Sequence, residues 1–94
     1  MPSIKFVWNE VKNKNNIKKH RVSFEEAKSV FYDENAVEFF DDDHSNDEDR
    51  FLMLGLSYKL KILIVSFSTP QPNVIRIISA RKAAQNELKY YHGV

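Results

Sequence analysis

The chain has no cysteine. That excludes a disulfide framework and any thiolate-ligated metal site. Its three histidines, His20, His44 and His92, stand far apart, without the close spacing of a histidine metal motif. No apolar run approaches the ~20 residues needed to span a bilayer. The opening Met1-Pro2-Ser3-Ile4-Lys5 lacks the apolar stretch of a secretory leader. A cytoplasmic location without membrane contact is the expectation. There are no internal repeats, no low-complexity segment apart from one acidic stretch, and no motif that calls for a cofactor.

What is present suffices for one small core. The chain has 94 residues, 43% of them hydrophobic, with seven Phe, four Tyr and one Trp. Such a chain is too apolar to be disordered, and one domain over residues 1–94 is expected. A domain of this size is marginally stable alone, and a partner can add to that stability.

The net charge of +1 hides an uneven distribution. Residues 1–32 carry seven Lys/Arg against three Asp/Glu, residues 33–49 carry nine acids and no base, and residues 50–94 carry seven bases against Glu87 alone. Two basic ends thus flank an acidic middle. The middle either screens the ends or presents a separate face to a basic partner.

The pattern predicts a short strand over Ser3–Trp8 and, capped by Asn9, a polar helix over 10–20. That helix carries Lys12, Lys14, Lys18, Lys19 and His20 and only Val11 and Ile17 as apolar residues, so it should lie exposed. Ser23-Phe24-Glu25-Glu26 is a capping box, with Glu26 placed to reach back to Ser23. Phe24, Ala27, Val30 and Phe31 then form the stripe of a second helix, and the two helices should pack as a hairpin. Ala36–Phe40 is a predicted strand. Asp41–Asp49 is a loop with six acids in nine residues, and it lacks the glycine and closing Glu of an EF-hand. Strands over Arg50–Ser57, Leu60–Phe67 and Val74–Ser79 should form an antiparallel meander. Tyr58-Lys59 is the expected tight connection, and Thr69–Asn73 is a loop whose prolines exclude ladder pairing. A last helix is expected from Ser79 onward, with Ala80, Ala83, Ala84, Leu88 and Tyr91 facing the sheet and Arg81, Lys82, Gln85, Lys89 and Tyr90 outward. The class is α+β.

Arg76-Ile77-Ile78-Ser79-Ala80-Arg81-Lys82-Ala83 stands out at the junction of strand and last helix. It gathers three cations, and Arg81 falls in the expected first helical turn, where free backbone N–H groups favour an anion. Phosphate is the natural occupant.

Four pieces of sequence, in order, carry a resemblance. They are Phe6-Val7-Trp8-Asn9; Lys19-His20-Arg21-Val22-Ser23-Phe24-Glu25-Glu26-Ala27; Asp43-His44 with Glu48-Asp49-Arg50-Phe51 and Leu54-Gly55; and Ile75–Ala83. In these the chain resembles the BrnT family of RelE-like ribonuclease toxins. The resemblance implies a RelE-like fold, with a first strand and helical hairpin packed on an antiparallel sheet and a C-terminal helix. It implies a metal-independent endoribonuclease that cuts RNA and inhibits growth. It also implies a ribbon-helix-helix antitoxin of the BrnA type, with operator DNA contacted only through that antitoxin. Two positions depart from the family pattern. Arg21 stands where Gly is usual, in a turn that favours a left-handed backbone. Ser68-Thr69-Pro70-Gln71-Pro72 stands where many members have a Tyr or His and then Thr-Glu-Arg-Gly.

Cutting RNA without a metal needs a base for the 2′-hydroxyl, an acid for the leaving 5′-oxygen, and cations for the phosphorane. Arg81, Arg76 and Arg50 are the candidate clamp, and His20 is the family-matched candidate for proton transfer. Lys82, Lys59, Lys61 and Tyr90 are candidate RNA contacts. Asp41, Asp42, Asp43 and His44 are candidates for the antitoxin-facing surface. Two further classes stay open. One is a toxin homologue without catalysis, acting as an antitoxin-binding co-repressor. The other is a plain nucleic-acid-binding protein, which the acidic segment and the lack of a recognition-helix pattern oppose.

Overall fold

The computed structural model of the protein describes residues 3–91; His92 lies outside them. β1 (Lys5–Val7) leads into α1 (Glu10–His20). α2 (Phe24–Ser29) follows and tightens into a 3-10 turn over Val30–Tyr32. β2 (Val37–Phe40), β3 (Phe51–Leu56), β4 (Ile62–Gln71) and β5 (Val74–Lys82) complete a five-stranded sheet in the order β1-β5-β4-β3-β2. β2 to β5 are antiparallel, while β1 runs parallel to β5.

The helices begin where the local chemistry places them. The Asn9 side chain accepts a hydrogen bond from the Lys12 amide at 3.0 Å, and Ser23 Oγ accepts from the Glu26 amide at the same distance. Among the described residues Glu26 does not complete the capping box. It is fully buried, and its Oε2 accepts from Ser57 Oγ at 2.7 Å, so the tertiary contact wins over the local one. α1 ends on Arg21, which adopts the left-handed conformation (φ 61°, ψ 29°) and donates its amide to Ile17 O. The turn favoured by glycine is therefore kept with arginine in place.

α1 is as polar and exposed as its composition requires, and a single buried side chain, Asn16, fixes it to the sheet. Asn16 Nδ2 donates to Val22 O and Ala80 O, both at 2.8 Å, while its Oδ1 accepts from the Ala80 amide. One side-chain amide thereby satisfies the β5 backbone just beyond the reach of short β1.

The core lies between the helices and one face of the sheet. Val22, Phe24, Ala27 and Val30 pack on Leu63, Val65, Ile77 and Ala80, with Phe6, Trp8 and Phe31 at the margin. Gly55 lets the 3-10 turn approach β3. A Cβ there would stand 2.8 Å from Val30 Cγ1 and 3.0 Å from Ala36 Cβ.

The two connections of the meander differ from expectation. The β3–β4 turn occupies Ser57–Lys61, not Tyr58-Lys59 alone, with Leu60 at φ 63° and its amide bonded to Ser57 O. At the other end Pro70 lies within β4, in a stretch where the register with β5 shifts between Ser68 and Gln71. A proline fits such an irregularity because no ladder bond from it is needed. The turn is the Pro72-Asn73 pair, with Asn73 at φ 63°.

The largest correction concerns the last helix. Ala80, Arg81 and Lys82 continue β5, with Leu63↔Lys82, Ile64↔Arg81 and Val65↔Ala80 as partners. Only Leu88–Tyr90 forms a 3-10 turn. The alanine-rich composition favours a helix, but Ala80 is buried beneath α1 and held by Asn16, and tertiary packing overrides propensity. Residues 83–91 instead cross the second face of the sheet. There Tyr91 packs on Leu54 and Ile64, facing the sheet as expected but without the helix that was expected to place it, with Ala83 beside them.

Tyr91 Oη donates to Asp33 Oδ2 at 2.5 Å, and that oxygen also accepts from the Leu56 amide. Burial acts to raise the Asp33 pKa, but the Tyr91 hydroxyl and the Leu56 and Asn35 amides outweigh it and hold the carboxyl below its ordinary value. Burial and the Asp33 carboxylate together push the Tyr91 hydroxyl up to about 12. This contact anchors the C-terminal segment across the sheet.

Candidate active site

The part of the second face that the C-terminal segment leaves open is a groove. Its floor is the row Leu52, Ser66 and Ser79 across β3, β4 and β5, together with Ile64 and Ile78. Arg81 and Arg50 reach into it from β5 and from the residue before β3. Lys19 and His20 border it from the end of α1, and Asp41, Asp43 and His44 from the acidic segment.

The alternation of β5 explains the cations. Ile75 and Ile77 belong to the helix-covered core, so Arg76 between them points to the opposite face. Arg81, paired across from Ile64, lies on that face as well. The position of Arg81 is thus strand-borne, and the expected helix N-terminus around it does not exist.

Arg50, Arg76 and Arg81 differ in their partners. Arg81 forks onto Glu87, with Nη1 and Nη2 each 2.8 Å from a carboxylate oxygen. Those bonds hold the Glu87 carboxyl below its usual value and raise the Arg81 pKa further. Glu87 also accepts from the Ala84 amide. Arg76 is paired with Glu48 of the acidic segment. Arg50 pairs with no carboxylate among the described residues, and its Nε is buried without a hydrogen-bond partner. It is therefore the clamp arginine whose spare hydrogen-bonding capacity is buried.

The acidic segment is a closed loop. Asp41 N donates to Arg50 O at 2.8 Å, and Ser45 Oγ accepts from Arg50 N and donates to Asp41 O. His44 Nδ1 lies 3.0 Å from Asp41 Oδ2. Asp43, Asp47 and Glu48 from this loop border a hollow next to the groove, shared with His44, Arg50 and Arg76. Among the described residues no three His, Asp or Glu side chains converge as metal ligands would.

His20, Arg50, Arg81, Asp41, Asp43 and His44 thus meet on one groove, and Arg76 adjoins it. Lys59 and Lys61 belong to the β3–β4 turn, and neither borders the groove. Lys82 is paired across from Leu63, a residue of the helix-side core, and so faces the other way. Tyr90 is half-exposed and packs edge-on against Phe39 at 5.7 Å, on the same face beside Leu52, without bordering the groove itself. Asp42 lies on the outside of the acidic loop, exposed. Sequence reasoning missed Ser66 and the groove role of Ser79, which it took for a helix cap. A lone serine at period-two spacing in an apolar strand was the available signal.

The family model described as "Ribonuclease toxin, BrnT, of type II toxin-antitoxin system" matches residues 8–87. The chain belongs to the BrnT family. Among solved structures it is similar to the Brucella abortus ribonuclease toxin BrnT, with 27% identity and a TM-score of 0.67. The match covers 88% of this chain and all of that one. No curated protein matches the sequence significantly. Belonging to the BrnT family makes the protein a ribonuclease toxin of a type II toxin–antitoxin system, and it accounts for the α+β fold, with two helices packed on a five-stranded sheet. Within the family pattern, the departure at Ser68 is now placed. Ser68 is buried in β4, and its hydroxyl has no partner among the described residues.

Proposed function

We propose that the protein is a metal-independent endoribonuclease acting through the groove on the second face of the sheet. The observation that carries this is Arg50, a guanidinium bordering the groove with a buried, unpartnered Nε beside the Arg76 and Arg81 pairs. Its fork matches the oxygens of a phosphodiester. Attack by the 2′-hydroxyl on the adjacent phosphorus breaks the bond to the 5′-oxygen and leaves a 2′,3′-cyclic phosphate. Arg50, with Arg81 and Arg76, holds the charge that builds on the phosphorane. Among the described residues His20 and His44 are the two imidazoles bordering the groove, and they come from different elements. His20, on the basic side, takes the 2′-hydroxyl proton, and His44, supported by Asp41, returns one to the leaving oxygen. Lys59, Lys61, Lys82 and Tyr90 contact RNA outside the groove.

The acidic loop supplies the partner face. Asp41, Asp42, Asp43 and His44 meet basic residues of a BrnA-type ribbon-helix-helix antitoxin, which closes the groove and carries the complex to its operator DNA. The protein works in the cytoplasm, where its RNA is.

A second reading is favoured by the same ion pairs. Arg76 and Arg81 already hold carboxylates, which compete with phosphate, and this fits a weakly active homologue that serves as a co-repressor. Induced expression in bacteria separates the two. The nuclease reading predicts growth arrest with RNA breakdown, both sharply reduced by Arg50→Ala. Normal growth with intact RNA and soluble, folded protein would rule it out and leave the co-repressor.

A further inference from the structure

Glu48, which no part of the cleavage mechanism uses, lies at the boundary of two hollows. One is the hollow bordered by Arg50 and Arg76. The other is bordered by Ser68, Phe51 and Thr69. The strand register puts the residues behind it in a row. Ser68 and Arg76 are direct partners across β4 and β5. Phe51 pairs with Phe67, whose ring packs edge-on against Phe31 on the helix side. Arg50 and Ser68, one residue before Phe51 and one after Phe67, therefore share the opposite face, with Arg76 beyond them.

Two hydrogen-bonding groups in this row lack partners among the described residues: Arg50 Nε and the Ser68 hydroxyl. The serine is 1% exposed. Unsatisfied buried polar groups are rare, and they cost stability unless something else fills their capacity. The third member, Arg76, pairs through Nη2 with a carboxylate that arrives from 28 residues away in the chain. A carboxylate oxygen paired with a guanidinium nitrogen takes the place a phosphate oxygen would use.

We propose that Arg50, Ser68 and Arg76 form a subsite for one phosphate of the RNA backbone, closed in the free protein by the Glu48 carboxylate. Binding of RNA exchanges one anion for another at Arg76. As Glu48 swings out, the Ser68 hydroxyl and Arg50 Nε gain the acceptor they lack. The exchange costs little, because the Arg76–Glu48 pair is partly exposed, with side chains 41% and 36% accessible, and such pairs are weak. This subsite rests on the reading of the protein as an RNA-cutting enzyme; it shares Arg50 and Arg76 with the phosphate clamp and adds to it the Ser68 hydroxyl and the Glu48 carboxylate that closes it.

The test uses the full chain, its Glu48→Gln variant and the Glu48→Gln/Ser68→Ala double variant. Each is titrated with a short single-stranded RNA carrying 2′-O-methyl groups, which binds but cannot be cut. Glu48→Gln should tighten binding by about three- to tenfold and steepen the dependence of log K on log salt by about 0.7, the value for one added phosphate contact. The added Ser68→Ala should take most of that gain away, with thermal melts confirming that all three proteins are folded. Unchanged or weaker binding by folded Glu48→Gln would overturn the subsite. Cleavage of the unmodified RNA by the wild-type chain is read in parallel. Cutting without tighter Glu48→Gln binding removes the subsite and keeps the nuclease. Tighter binding without any cutting keeps the subsite and removes the nuclease.

Discussion

The two faces of the sheet are built on opposite terms. The helix-covered face is mainly apolar: Val22, Phe24, Ala27 and Val30 close on Leu63, Val65 and Ile77, and of its buried polar side chains Asn16 bonds to backbone and Glu26 to Ser57. The second face is half apolar and half charged. Tyr91 and the C-terminal segment cover Leu54 and Ile64, and the remainder is the groove of arginines and carboxylates. Strand alternation lets one β5 residue serve the core and the next serve the groove, as Ile77 and Arg76 do. Stability and chemistry can thus be altered separately, although only a strand's thickness divides them.

The largest expected effect lies on the apolar face. Phe24→Ala should cost about 3–5 kcal/mol of folding stability, measured by urea denaturation, which is enough to unfold much of a domain this small. Loss of under ~1 kcal/mol would mean that the helices are not what holds the sheet. On the charged face Arg50→Ala should cut the cleavage rate by about 10²–10³-fold while moving stability by less than ~1 kcal/mol, since no ion pair is lost. A matching drop in stability would make Arg50 structural and collapse the contrast between the faces.

The seam between the two regimes is Tyr91. Tyr91→Phe removes the donor to the Asp33 carboxylate and should cost about 1.5–3 kcal/mol. The Asp33 carboxyl is held below its unfolded value of 3.8, so its contribution is fully present above that value and is lost as pH falls through the lower folded one. The stability gap between wild type and Tyr91→Phe should therefore be constant near neutrality and shrink in acid. Tyr91 adds a loss at the alkaline end, as pH rises through about 12. A gap that does not change with pH would show that the contact is apolar packing alone. The smallest effect belongs to Arg21→Gly. Relief of the left-handed backbone offsets the added freedom of the unfolded chain, so thermal stability should shift by less than ~1 kcal/mol. A large loss would mean that the Arg21 side chain, not its backbone, matters.

The apolar face was largely legible in the sequence, and the charged face was not. Asn9 and Ser23 mark helix starts by chemistry that acts within three residues, and the stripe from Phe24 to Phe31 needs only helical spacing. The strands of the meander announce themselves by their apolar runs. The C-terminal segment failed because Ala80, Ala83 and Ala84 carry helix propensity, whereas their fate is decided by Asn16 and by pairing with β4, more than a dozen residues away. The groove's cations were visible as residue types. Their partners were not, since Glu48 on Arg76 is a long-range contact and Glu87 was read only as a lone acid in a basic stretch. Arg50 became the leading clamp residue only when the other two proved to be engaged.

The most direct test of the account is cleavage of a single-stranded RNA by the purified protein in excess EDTA. The account predicts fragments ending in a 2′,3′-cyclic phosphate, formed at the same rate with and without chelator, and about 10²–10³-fold more slowly by folded Arg50→Ala. Folded wild-type protein that leaves RNA intact, or that cuts only when a divalent metal is restored, would contradict it.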